Sequence, residues 1–254
     1  TVPHTKPELR ARLLARLAMA LYWTQESIEN RVALLSEAES LSRQASGSGA
    51  RAFVSCARCV ALWSPDNQAE RLDNANAAIE LADQVGEREL SLMARVFRIT
   101  TKLELGHLVD AEREVLEFAR VLRAQAVPQA LWYVPLFRAM LAIAKGRFED
   151  AERLAEEFFG IGRRVGDINV NNSFGAVLSA ICWHRGTAEL VLDQARSLMN
   201  EFPSVIVWRC GFALLAQDAG RALEARRSYD VVMSQLEELP RDMMWLTTLV
   251  QLAD

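Results

Sequence analysis

Gly146-Arg147-Phe148-Glu149-Asp150-Ala151 is the stretch that decides the fold, because the same turn recurs along the chain. Its other copies are Gly106-His107-Leu108-Val109-Asp110-Ala111, Gly186-Thr187-Ala188-Glu189-Leu190-Val191 and Gly220-Arg221-Ala222-Leu223-Glu224-Ala225, at pitches of 40, 40 and 34 residues. After each turn, apolar residues fall three and four apart: Leu108, Ala111, Val115, Phe118, Leu122 in one copy, and Phe148, Ala151, Ala155, Phe158 in the next. The runs Ala188, Val191, Ala195, Leu198, Phe202 and Ala222, Ala225, Tyr229, Val232, Leu236 keep that spacing. Steps of three and four put these side chains on one face of a helix.

Breakers close the far ends of these helices at Ser46-Gly47, Gly86, Val127-Pro128, Gly166-Asp167, Phe202-Pro203 and Leu239-Pro240. The map is therefore six antiparallel pairs, each an A helix followed by a B helix, near 7–45, 47–86, 87–127, 128–166, 167–202 and 203–239, then an unpaired A helix from about 241. β-branched runs with period-two alternation are absent, so no strand is expected. A single pair cannot bury its own apolar face, so the pairs must stack. The predicted fold is an all-α, right-handed α-solenoid, read as one domain over 1–254.

Composition narrows the function classes. Half the residues are hydrophobic (51%) and 24% are charged, enough apolar material for a continuous core, and the net charge of −4 is spread without a basic patch. Direct nucleic-acid binding is not expected. No apolar run reaches the length of a membrane helix, and the first ten residues lack the layout of a secretory signal. Cys56, Cys59, Cys182 and Cys210 are too few for a disulfide scaffold, which points to a reducing, cytoplasmic setting. The start at Thr1 and the end at Asp254 inside a helical run read as a piece of a longer protein.

The Gly-x-x-x-x-Ala turns resemble the mid-repeat turn of tetratricopeptide repeats, although the pitch exceeds that family's usual value of about 34. The runs Leu17–Trp23, Ala61–Asp66, Gly146–Ala155, Gly162–Asp167 and Leu239–Trp245 resemble, more narrowly, the tetratricopeptide-like region of bacterial signalling ATPases. MalT-like LuxR-type transcription regulators and nucleotide-cyclase relatives belong to that group. The resemblance implies a region that senses an inducer or holds a partner, beside an ATPase module and an output module.

Catalytic patterns are weak throughout. Gly47-Ser48-Gly49 could hold an anion at a helix start, but it lacks the Gly-Lys-Ser/Thr element and follows no strand. Cys56-Ala57-Arg58-Cys59 has the spacing of half a zinc site with no second half, since His4, His107 and His184 are scattered. No nucleophile triad, metal or cofactor is predicted, and no enzyme activity. Glu149, Asp150, Glu152, Glu156 and Glu157 read as a solvated face. Pro65-Asp66 and Pro240-Arg241-Asp242 read as helix starts.

The A helices carry the candidate site. All six tryptophans, Trp23, Trp63, Trp132, Trp183, Trp208 and Trp245, fall on them. Trp23, Trp63, Leu103, Ile143 and Trp183 share a 40-residue register, as do Arg58, Arg98 and Arg138. An arginine strip on the concave face would suit a carboxylate or phosphate; the alternative is that each arginine pairs with a glutamate of a neighbouring helix. The tryptophans have the alternative of inter-repeat core. Asn169 suits a helix cap, whereas Asn171 and Asn172 sit inside the first turn, where asparagine is a poor helix former. The predicted peptide- or ligand-binding residues are Arg98, Trp132, Tyr133, Arg138, Asn171, Asn172, Trp208 and Arg209. A peptide, a protein or a small-molecule effector is the expected partner; the competing reading is a scaffold for intramolecular contacts or oligomerisation.

Overall fold

A computed structural model describes residues 6–22, 24, 27–125, 127–167 and 169–253, with the side chain of Glu238 left out. Trp23, assigned above to the first A helix, lies outside the described residues. Among those residues the structure is all-α, with no strand. The helices are α1 (Pro7–Tyr22), α2 (Ile28–Gln44), α3 (Gly49–Ala61), α4 (Gln68–Val85), α5 (Arg88–Glu104) and α6 (Leu108–Gln125). They continue with α7 (Tyr133–Ala144), α8 (Phe148–Val165), α9 (Val170–Arg185), α10 (Leu192–Glu201), α11 (Ile206–Asp218), α12 (Ala222–Met233) and α13 (Trp245–Ala253). Odd numbers are the A helices and even numbers the B helices, in the pairs read from the sequence. Short 3-10 turns precede α7 and α10, and a third follows α12.

The chain falls into two compact units, Thr1–Ala126 and Val127–Asp254, each described by itself. In the first, α1 packs on α3 and α3 on α5, while α2 and α4 each bridge their own A helix and the next. In the second, α7 packs on α9, α9 on α11 and α11 on α13, with α8 and α10 bridging in the same way. Contacts thus run from one pair to the next, as a repeat stack requires.

Alanine sets the spacing. Ala11, Ala15 and Ala18 of α1 are fully buried with Ala38 of α2 and Ala50, Ala57 and Ala61 of α3. Ala139, Ala142, Ala151 and Ala155 do the same work in the second unit, with Phe158 and Trp132 filling the space between the backbones. The turn motif explains itself here. Gly146 has φ 69°, a left-handed conformation that costs other residues free energy, and Arg147 N–H donates to the Ala142 carbonyl at 2.8 Å to close the A helix. Five residues on, Ala151 is buried where α7 and α8 approach, and Ala111 and Ala225 occupy the same place in their pairs. Ala222, expected on the apolar face, is exposed, and buried Ser228 lies in that helix instead.

The first two pairs lack the glycine turn and use an arginine in its place. Arg31 lies over the Tyr22 ring and donates to the Ala61 carbonyl. Forty residues later Arg71 lies over Trp63 and donates to the Ser64 carbonyl at 3.2 Å, to Thr101 Oγ1 at 2.9 Å and to Glu104. Arg71 is 2% exposed, and Trp63 completes the cluster by donating its indole N–H to Glu104 at 2.9 Å. Burial, working against the Arg71 charge, raises the Glu104 carboxyl above the ordinary carboxylate range. The guanidinium spends its donors on three acceptors, the condition under which a buried cation is tolerated.

Candidate functional site

At Arg58 and Arg98 the arginine register meets carboxylates of neighbouring helices, one of the two arrangements its spacing allowed. Arg58 pairs with Glu70 of its own B helix at 2.5 Å and lies 3.8 Å from Glu39 of the preceding one. Arg98 pairs with Glu114 of α6 and donates to Asn76 of α4 at 3.3 Å. Arg95 joins Asp83 at 3.0 Å. At these positions the register points between successive B helices, and Arg98, expected in a concave ligand site, ties α5 to α6 and α4. Arg138 holds the same register but is exposed, with no ion pair among the described residues. The position that is Glu114 for Arg98 is Leu154 for Arg138, so the acidic partner is missing.

Trp132, expected in the same site, is enclosed. It is 1% exposed, packs on Phe158 and donates its indole N–H to Asp167 at 3.1 Å. It is a core residue of the second unit. Its hydrogen bond has a positional effect, because Asp167 also accepts from the Asn169 backbone N–H at 2.9 Å. The start of α7 is thereby fastened to the start of α9, which sets Tyr133 and the Asn171–Asn172 pair at the same end of the unit. Asn169 itself makes no side-chain cap. Tyr133 stacks on Trp132 at 4.1 Å between ring centres and on Phe137 at 6.1 Å. Burial, reinforced by the Asp167 charge, pushes its phenol up to about 12.

α7 and α9 each carry a partly uncovered face with no charged side chain. On α7, Tyr133 is half-buried while Met140 and Ala144 are exposed, and the spacing of seven and eleven residues puts the three on one face. On α9, half-buried Asn172, Ser173, Ser179, Ala180 and Trp183 flank exposed Ala176. Arg138 is two residues from Met140, about 200° around the helix at 3.6 residues per turn, so it belongs to another face. Asn171 is exposed about 140° around α9 from Ala176 and so lies on another face, and Trp208 and Arg209 are half-buried at the start of α11, Arg209 without an ion pair among the described residues. Sequence reasoning missed Met140 and Ala176 as uncovered residues of α7 and α9, and Asp167 as the tie between the starts of those helices. Asp167 had been read only as part of a helix breaker.

The fold is similar to that of RapI. A crystal structure of the apo form of RapI, a TPR-like helical-repeat protein, matches with a TM-score of 0.67 over 88% of this chain and 84% of that one, at 8% identity. At that identity the likeness shows the fold alone. No protein-family model and no curated protein sequence matches the chain.

The other sequence candidates have structural partners. Gly49 lies against the Arg12 and Glu87 side chains, and Arg12 pairs with Glu87 and, at 3.7 Å, with Glu8, so carboxylates already stand at the helix start once weighed as an anion cradle. Cys56 and Cys59 are buried, and burial raises both thiols, Cys59 to about 12. Among the described residues no group of three or more His, Cys, Asp or Glu side chains could hold a metal. No helix among them is long and apolar enough to cross a membrane. A surface cavity of about 590 Å³ lies at the start of α1, lined by Lys6, Glu8, Arg12 and Gln44 among others, and includes none of the predicted site residues.

Proposed function

We propose that this chain is a non-catalytic interaction module that holds a peptide or protein segment on the A-helix row, chiefly on the α7–α9 surface of the second unit. The observation that carries the reading is that surface. Tyr133, Asn172, Ser173, Ser179 and Trp183 offer hydrogen-bonding groups, Met140 offers an adaptable apolar contact, and exposed Ala176 leaves room for a backbone to approach. Such a face suits an uncharged or apolar segment better than the anionic ligand first suggested by the arginines. The TPR-like fold supports an interaction role in general.

The narrower reading, also proposed, is a cytoplasmic sensing region of a signalling or transcription regulator of the MalT-like LuxR type, next to an ATPase or output module. It rests on the sequence resemblance. A neighbouring phosphate-binding loop or helix-turn-helix in the same gene would support it, and flanking sequence of another kind would end it.

The binding surface is tested by selecting peptides from a displayed random library against the purified chain. Binders should be enriched in uncharged segments. Met140→Glu and Ala176→Arg should each weaken them at least tenfold, while Arg138→Ala leaves affinity and melting temperature nearly unchanged. If Arg138→Ala abolishes binding and Met140→Glu does not, the ligand sits on the arginine side and the proposed surface is wrong.

A further inference from the structure

Helix α9 is rich in poor helix formers. Asn171, Asn172, Ser173, Gly175 and Ser179 make up five of its 16 residues, whereas α5, with 17, holds Ser91 as its one residue of those types. Asparagine and serine side chains compete for the backbone, and glycine leaves it unrestrained, so the helical state of α9 depends on what it packs against. Its neighbour α10 gives limited support: it has ten residues led by a 3-10 turn, where α4 and α8 have 18 each. Ala176, in the middle of α9, is exposed.

The two ends of α9 are fastened unequally. Its start is held by the enclosed Trp132 indole on Asp167 and by Asp167 on the Asn169 backbone N–H. Its end is held by groups in contact with solvent. Arg185 pairs with Glu149 at 2.7 Å and with Glu152 at 3.0 Å, the Glu149 side chain being 88% exposed, and exposed His184 stacks on Phe148 at 5.7 Å. In the first unit the corresponding joint, from the end of an A helix to the start of the preceding B helix, is the buried Arg71 with Thr101 and Glu104. Exposed ion pairs are screened by water and salt, so they restrain a helix end far less than an enclosed one does.

We infer that α9 is the element through which occupancy of the α7–α9 surface is felt in the rest of the second unit: α9 opens locally in the free chain, and a segment bound on Met140 and Ala176 holds it closed. The inference rests on the binding surface proposed above. Helix α9 packs on α7, α8, α10 and α11. An opened α9 therefore loosens α10 and α11, and a closed one steadies them, so occupancy is passed on as a change in order with no shift in mean position.

Backbone hydrogen exchange of the full chain, read by mass spectrometry, tests this. In the free chain the α9 amides, corrected for their intrinsic rates, should exchange about tenfold faster than those of α5, or more. A peptide selected from the displayed library should slow exchange in α9 and also in α10 and α11, and leave α3 to α5 unchanged. Asn171→Ala lies outside the contact face and should slow α9 exchange about threefold, the ratio set by the helix preference of alanine over asparagine, with peptide affinity unchanged. Free-chain protection of α9 equal to that of α5 would overturn the inference, as would a bound peptide that slows α9 alone. Peptide affinity indifferent to Met140→Glu and Ala176→Arg is a separate failure: it sinks the surface and the transmission with it, while the free-chain exchange reports on α9 by itself.

Discussion

Tyr133 shows how one side chain reports on its surroundings. Its phenol is held up to about 12 by burial first and by the Asp167 carboxylate second, against an ordinary value of about 10. Because the folded value lies above the unfolded one, the stabilisation is complete below about pH 10 and is lost as pH rises towards 12. Replacing Asp167 with Asn removes the charge, so the phenolate absorbance of Tyr133 should appear at lower pH; an unmoved midpoint would take Asp167 out of the explanation. Trp132, whose indole shares that carboxylate, belongs to the core, and Trp132→Ala should cost about 3–5 kcal/mol in denaturant unfolding. A loss of ligand affinity without loss of stability would return it to the binding surface. The sequence could not separate those roles, since a tryptophan beside a proline-led helix start looks the same whether its ring points inward or outward.

Between elements, the arginines divide by burial. Arg71 is buried and donates to Thr101, the Ser64 carbonyl and the part-exposed Glu104, so Arg71→Ala leaves its space empty and those acceptors short of a donor and should cost about 2–4 kcal/mol. Arg58 pairs with half-exposed Glu70, and Arg58→Ala should cost no more than about 1 kcal/mol. Comparing the two melting temperatures checks the contrast, and equal losses would contradict it. Ala151, fully buried at the turn between α7 and α8, has no room for a carboxylate, so Ala151→Asp should cost about 3 kcal/mol or more, read from the unfolding midpoint. These joints were largely legible in advance. The glycine turns, the buried alanine five residues later and the helix pairs follow from spacing, because one glycine conformation and one close contact repeat at each copy. The Arg31 and Arg71 clasps were not legible, since they replace the motif by different chemistry at the same place.

Across the whole chain, a 40-residue register says which residues share a face but not which way that face points. Arg58 and Arg98 share one, and it turns towards Glu70 and Glu114. The tryptophan register has the same ambiguity, so spacing alone carried the fold further than it carried the site. Met140 and Ala176 were passed over because neither residue type announces chemistry; their significance lies in being uncovered on the packed helices α7 and α9. The pattern of contacts, in which each helix touches mainly those just before and after it in sequence, has a mechanical consequence. Under tension applied at its two ends, the described residues offer few long-range ties to break first, the Arg12–Glu87 pair among them. Pairs should peel away one at a time at low force, each lengthening the chain by roughly 40 residues of extended backbone, or about 14 nm less the width of the folded pair. The molecule would then behave as a soft spring, yielding in small steps and re-forming each pair against the neighbour that remains.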